Sequence, residues 1–277
     1  MLNGIKLVAT DLDGTFLKND KTISAENLRM LDLLGERDVI RVAATGRNFR
    51  KVKEVLPDLL PFDYIAFSSG AGIYDWKNKQ LVYRQNLASE TVNGIIQFFI
   101  HQNMNFHLFR AVPDNFRCWY YRGRETCEEF ERYYTFHEPY TEKLPGEQKI
   151  DDDACQFLVI FPNGKGDFLK TKMELEQEFD DIKVVRTSSP LHTNYTWMEI
   201  FHKDVSKGNA VKFLCERKAI AHEMTFGIGN DYNDLDLLNF TSHSYLVANG
   251  PDELKPHFLK APTNEENAFS KSLLNFF

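Results

Sequence analysis

The sequence predicts a doubly wound α/β core interrupted by an α+β insertion, and three observations carry that reading. Short apolar runs alternate with amphipathic helical stretches from residue 5 to residue 69. The alternation resumes in the C-terminal part of the chain. Between the two lies an aromatic-rich stretch of hairpins and helices without sustained strand–helix–strand order. A chain of 277 residues is long enough to bury one large core or two smaller ones.

The first element, Ile5-Lys6-Leu7-Val8-Ala9-Thr10, reads as a buried strand that ends in Asp11-Leu12-Asp13-Gly14-Thr15. Ser24 is placed to cap a helix with Leu28, Leu31 and Leu34 on one face. Val39–Ala44 is a second strand, ending in Thr45-Gly46-Arg47. The next helix carries Phe49, Val52, Val55 and Leu56 and stops at Pro57. Tyr64–Ser69 is a third strand, closed by Gly70-Ala71-Gly72. This order means a parallel sheet with crossover helices.

From Leu87 the texture changes. A helix over Ser89–His101 precedes strands at Asn105–Ala111 and Asn115–Arg122, a helix over Cys127–Phe136 and a polar connection over Thr141–Asp153. Then come a strand at Cys155–Phe161, a Pro162-Asn163-Gly164 turn, a helix over Asp167–Phe179 and a strand at Ile182–Thr187. The core pattern is read as returning at Thr196–Ile200. It continues with helix Ser206–Lys218, strand Met224–Gly229, helix Asn233–Asn239, strand Ser244–Val247 and a short amphipathic helix near Glu265–Phe277. The expected division is a Rossmann-like core over residues 1–85 and 190–277, with an inserted α+β domain over 86–189.

Composition narrows the function classes. The net charge of −7, from 33 basic and 40 acidic residues, argues against nucleic acid as a partner. No run is long and apolar enough to span a membrane, and the first residues lack the basic and apolar regions of a signal peptide. Cys118, Cys127, Cys155 and Cys215 show no CxxC spacing and read as reduced thiols in a cytoplasmic protein. Oligomeric state is not legible.

The chemistry concentrates in four loops. Alternation points Asp11 and Asp13 the same way, out of the carboxyl end of the strand, where open α/β sheets bind ligands. Paired carboxylates there suggest a bound cation or a nucleophile with an acid/base partner; a solvated turn is the plain alternative. Thr45-Gly46 at a helix N-terminus is either an anion site or an ordinary cap, and Arg47 either assists a phosphate or is solvated. Lys207 follows the cap Ser206, so it occupies the first turn, where the helix dipole disfavours a cation. A phosphate at that end removes the conflict. Gly229-Asn230-Asp231-Tyr232-Asn233-Asp234 forms the fourth loop. His222-Glu223 lacks the second histidine of a zinc helix, and Gly227-Ile228-Gly229 lacks the third glycine of a dinucleotide fingerprint.

These four loops, in this order, resemble those of the haloacid dehalogenase superfamily. The insertion looks like the large cap of its Cof-type phosphatases. The resemblance implies Mg²⁺-dependent hydrolysis of a small phosphorylated metabolite, such as a sugar phosphate, through an aspartyl phosphate. It makes Asp11 the nucleophile and Asp13 the acid/base, with Gly14, Thr45, Gly46 and Lys207 on the phosphate. Asp11, Asp13, Asn230 and Asp231 would hold the metal, with Asp234 bracing Lys207 or a metal-bound water. A phosphotransferase or phosphomutase, or a regulatory protein that binds a phosphometabolite, are the alternatives on the same residues. One departure stands out: the family usually reads Gly-Asp-x-x-Asn-Asp, and here Asn230 holds the place of the first aspartate. The reading keeps Asn230 as the ligand with Asp231 nearby. Within the insertion, aromatics such as Phe106, Trp119 and Tyr133 read as packing or, alternatively, as the lining of an organic-phosphate pocket, and Arg110, Arg117, Arg122 and Arg124 include a candidate substrate contact.

Overall fold

The computed structural model describes residues 4–124, 126–146, 149–162, 168–189 and 194–276. The chain divides into two compact units, Met1–Arg84 with Ser206–Phe277, and Gln85–Val205.

In the first unit, β1 (Leu7–Thr10) is buried along its whole length, as expected for a strand covered on both faces. Helix α1 (Ala25–Glu36) starts where the Ser24 hydroxyl accepts the Asn27 N–H at 3.1 Å, and it buries Met30, Leu31 and Leu34. Strand β2 (Ile40–Ala44) pairs in parallel with β1, and α2 (Phe49–Val55) leads to β3 (Tyr64–Phe67), parallel to β2. After a turn at 68–70, β4 (Gly72–Asp75) and β5 (Gln80–Arg84) form an antiparallel hairpin on the edge of the sheet. The sequence reading did not anticipate these two strands.

The second unit contains α3 (Ser89–His101), β6 (Phe106–Arg110), β7 (Cys118–Tyr121), α4 (Glu128–His137), β8 (Thr141–Lys143), β9 (Ala154–Pro162), α5 (Phe168–Glu178), β10 (Ile182–Ser188) and β11 (Tyr195–His202). Its described strands lie in the order β10-β11-β9-β6-β7-β8. The short β8 begins within the stretch read as a polar connection. Val92, Ile95 and Phe99 of α3 and Leu175 of α5 pack with Phe106, Phe157, Met198 and Ile200 of the sheet. His107, Phe109 and Trp197 instead meet Phe130 and Tyr133 of α4. The Asn163-Gly164 part of the expected turn and the expected helix start at Asp167 lie outside the described residues.

Strand β11 corrects the expected division, which gave the chain from residue 190 onward to the core. It pairs antiparallel with both β9 and β10, Met198 standing opposite Val159 and Arg186, so this stretch belongs to the second unit, which runs to Val205. A largely buried strand reads the same whichever sheet receives it, and only pairing decides.

The chain re-enters the first unit with α6 (Lys207–Lys218), followed by β12 (Thr225–Gly229), α7 (Leu235–Phe240), β13 (His243–Val247), β14 (Leu259–Ala261) and α8 (Ala268–Leu273). The described strands of the unit run β14-β13-β12-β1-β2-β3-β4-β5, with β1 between β12 and β2. Strand β14 had no counterpart in the sequence reading. Among the described residues no helix is long and apolar enough to cross a membrane. All four cysteines are free and buried.

Candidate active site

Lys207 is the first residue of α6, and Ser206 caps that helix by accepting the Asn209 N–H at 3.0 Å. Its side chain is fully buried, yet its ammonium is paired twice, donating to Asp11 Oδ1 at 2.8 Å and to Asp234 Oδ1 at 2.6 Å. The conflict between a cation and a helix N-terminus is thus relieved by two carboxylates. Asp11 follows β1 directly, its N–H still donating to the Ile228 carbonyl of β12. Asp234 comes from the turn after β12, where its other oxygen accepts the N–H groups of Asn230 at 2.8 Å and Asp231 at 3.1 Å. Gly229 allows this close fit, since a Cβ there would stand 2.5 Å from Asp234 Cγ. Burial pushes the Asp11 carboxyl up to about 7, with Lys207 pulling the other way. Burial opposes the Lys207 ammonium too, but the Asp11 and Asp234 charges outweigh it and raise its pKa above the ordinary lysine value.

Asp13 lies beyond the end of the strand, close enough for its charge to act on Asp11. The strand stops at Thr10, and the Leu12 carbonyl accepts the N–H groups of Phe16 and Leu17, so strand alternation no longer governs Asp13. Its carboxylate is gripped by Arg47, through Nε to Oδ2 at 2.6 Å and Nη2 to Oδ1 at 2.7 Å, and by Lys21 Nζ at 2.8 Å. Partial burial opposes ionisation, but these hydrogen bonds hold the group down at about 2. Its carboxylate is thus engaged by two cations, while its main-chain carbonyl lies beside the Asn230 carboxamide.

That carbonyl belongs to an oxygen-lined pocket. One end of the Asn230 carboxamide lies 3.0 Å from Asp13 O, 3.3 Å from Asp11 Oδ2 and 3.2 Å from Thr15 Oγ1. Gly14, at φ +75°, makes the turn and keeps the space open, since a Cβ would stand 2.7 Å from the other end of the Asn230 carboxamide. Asn249 fixes the loop by donating to the Gly14 carbonyl at 2.9 Å. Asp231 is exposed, and its Oδ1 accepts the Tyr232 N–H at 2.7 Å, so this carboxylate serves the local turn. Among the described residues no three acidic, histidine or cysteine side chains converge on one point. The set of one carboxylate, one carbonyl, one amide and one hydroxyl nevertheless suits a hard cation such as Mg²⁺, which takes oxygen ligands and retains waters.

A family model of the haloacid dehalogenase-like hydrolases matches residues 8–273. The chain belongs to that family. It is a Cof-type phosphatase of the haloacid dehalogenase superfamily. It is 24% identical over 263 residues to an HMP-PP phosphatase of Serratia proteamaculans, covering 90% of this chain and 86% of the relative. It is 26% identical over 251 residues to a 5-amino-6-(5-phospho-D-ribitylamino)uracil phosphatase of Bacillus subtilis, covering 91% and 87%. A solved haloalkanoate-superfamily phosphatase from Bacteroides thetaiotaomicron has the same fold, with a TM-score of 0.77 at 15% identity over 98% of this chain and 95% of that one.

In this Cof-type phosphatase, Thr45 is not the cap of α2. Asn48 caps that helix by accepting the Lys51 N–H, and the Thr45 amide donates to the Ala66 carbonyl at 2.8 Å. The amide is thus spent on the sheet, and the buried hydroxyl accepts the Arg47 N–H at 3.2 Å. Gly46 looks onto Ser69 Oγ and Asn233 Nδ2, 3.7 and 4.0 Å from where its Cβ would be. Sequence reasoning did not place Ser69 or Lys21 at the site, and it gave Thr15 of the first loop no role. Ser69 and Lys21 sit at positive φ, 55° and 67°, and nothing in the sequence signals either bend. In the second unit Arg110 pairs with Glu142 and lies over Trp119, while Arg122 pairs with Glu131 and lies over Tyr120 and Tyr134.

Proposed function

We propose that this phosphatase hydrolyses a small phosphate monoester, such as a sugar or sugar-alcohol phosphate, through a covalent intermediate on Asp11. The observation that carries the reading is the buried Lys207 ammonium held between Asp11 and Asp234 beside the carboxyl ends of β1 and β12. Such a group favours the ionised form of Asp11 in a site where burial favours the acid, and it offsets negative charge on a transferring phosphoryl group. The relative named for a phospho-ribitylamino compound supports a small phosphorylated substrate.

An oxygen of Asp11 bonds to phosphorus as the ester P–O bond breaks, and the ester oxygen leaves with the electron pair. Asp13 gives that oxygen a proton. It then takes one from a water, whose oxygen attacks phosphorus, breaks the bond to Asp11 and frees inorganic phosphate. For Asp13 to carry a proton, Arg47 and Lys21 have to release it. The Thr45 hydroxyl and the Lys207 ammonium orient the phosphoryl oxygens. Asp11, the Asp13 carbonyl and Asn230 would hold Mg²⁺, which supplies further neutralisation of phosphoryl charge.

A phosphate-release screen over phosphorylated sugars, sugar alcohols and nucleotides, with and without Mg²⁺, tests the reading. Asp11→Asn is expected to fold normally and lose turnover by about 10³-fold or more. Unchanged release by that variant overturns the assignment.

A further inference from the structure

We infer that Asn230 is a self-closing ligand, whose carboxamide seals the oxygen pocket with its own NH₂ until a divalent cation turns its oxygen inward. The inference rests on the phosphatase reading for the purpose of the cation, but its chemistry belongs to the pocket. The inward end of the amide meets Asp11 Oδ2, the Asp13 carbonyl and Thr15 Oγ1 at 3.3, 3.0 and 3.2 Å. Two of those three atoms can only accept. An amide oxygen there sets lone pairs against lone pairs, whereas an NH₂ donates to them and satisfies the pocket. A cation reverses the preference, because it draws oxygen ligands and repels the amide hydrogens.

A carboxylate at this position has no such second state. It would bring another negative charge within about 3.3 Å of Asp11 Oδ2, a place stable only with a cation present. The Asn230 N–H already donates to Asp234, so the backbone is held and the side chain alone turns. Asp231 offers no substitute charge, because its carboxylate faces the Tyr232 N–H. The chain therefore keeps an ordered pocket without metal and binds metal weakly.

Calorimetric titration with MgCl₂, without substrate, compares the wild type with Asn230→Asp. The variant is expected to bind Mg²⁺ about 10- to 100-fold more tightly. It is also expected to melt at lower temperature than the wild type in EDTA and to recover with Mg²⁺. In wild-type protein the ¹⁵N side-chain amide pair of Asn230, assigned by its loss in the variant, should shift on saturation with Mg²⁺. If the variant does not fold without cation, assignment by Asn230→Ser leaves the wild-type resonances to decide. An affinity unchanged by Asn230→Asp, or amide resonances that Mg²⁺ leaves in place, overturns the inference. Neither measurement uses turnover, so failure of the phosphatase reading would be seen separately, as absence of phosphate release from every ester.

Discussion

The charged set at the strand ends of the first unit and two buried polar groups of the second are treated in opposite ways. In the first unit, every member of the charged set at the strand ends is paired: Lys207 holds Asp11 and Asp234, and Asp234 also takes two backbone N–H groups. In the second, His107 is fully buried with neither ring nitrogen hydrogen-bonded, and Glu129 is fully buried with Oε2 unpaired among the described residues. Glu129 keeps one bond, from Trp197 Nε1 at 2.5 Å. A buried polar atom without a partner typically costs about 1–3 kcal/mol. The paired cluster concentrates balanced charge at strand ends, where chemistry uses it. The unpaired groups are a burden that the apolar packing of the second unit has to offset.

The largest test of this contrast is Lys207→Met. Removing the ammonium leaves Asp11 and Asp234 buried without their cation, and breaking a buried pair typically costs about 3–5 kcal/mol. Urea unfolding should show that loss, and phosphate release should fall by about 10²–10³-fold at least. A loss below about 1 kcal/mol would mean that the cluster relaxes or takes up water, and the contrast would fail. In the second unit the matching change is Trp197→Phe, which removes the bond to Glu129 while keeping a ring against Tyr133, now 5.3 Å away. The expected cost is about 1–3 kcal/mol, read by the same unfolding measurement.

The contrast also explains what was legible in the sequence. Lys207 was legible because a Ser-Lys pair opening a helix places a cation against the dipole, a local conflict that asks for a partner. Asp234 and Asn230 were legible from the resemblance of their loop to the family's Gly-Asp-x-x-Asn-Asp. The Arg47–Asp13–Lys21 grip was not, because it depends on a left-handed bend at Lys21 and on a strand that ends one residue before Asp11. The cap alternative for Thr45 failed because Asn48, three residues on, caps equally well and wins once the Thr45 amide is committed to Ala66. Strand β11 was assigned to the wrong unit because alternation fixes the face of a strand but not its neighbours. His107 gave no signal, since a histidine between Phe106 and Leu108 fits an ordinary strand.

The smallest effect, and the one that separates the two units most cleanly, is the pH dependence that His107 imposes on stability. Its ring lies 4.3 Å from Phe130 and 4.9 Å from Tyr133, centroid to centroid. Burial, aided by the charges of His137 and Arg122, pushes its pKa down to about 3. The unfolded chain titrates near the ordinary value of about 6.5, so as pH falls the unfolded state takes up this proton first. The stability contribution is therefore complete above pH ~6.5 and drains as pH falls toward 3, by about 1.4 kcal/mol per unit, or about 2 kcal/mol at pH 5. His107→Phe keeps an aromatic ring against Phe130 and Tyr133 and removes both unpaired nitrogens. It should flatten this part of the pH profile and raise stability by about 1 kcal/mol at neutral pH. Urea unfolding at pH 5 and pH 7.5 reads both effects. A variant that loses stability at pH 7.5 and keeps the wild-type slope would show that the buried nitrogens are satisfied, and that His107 is balanced as the charged cluster of the first unit is.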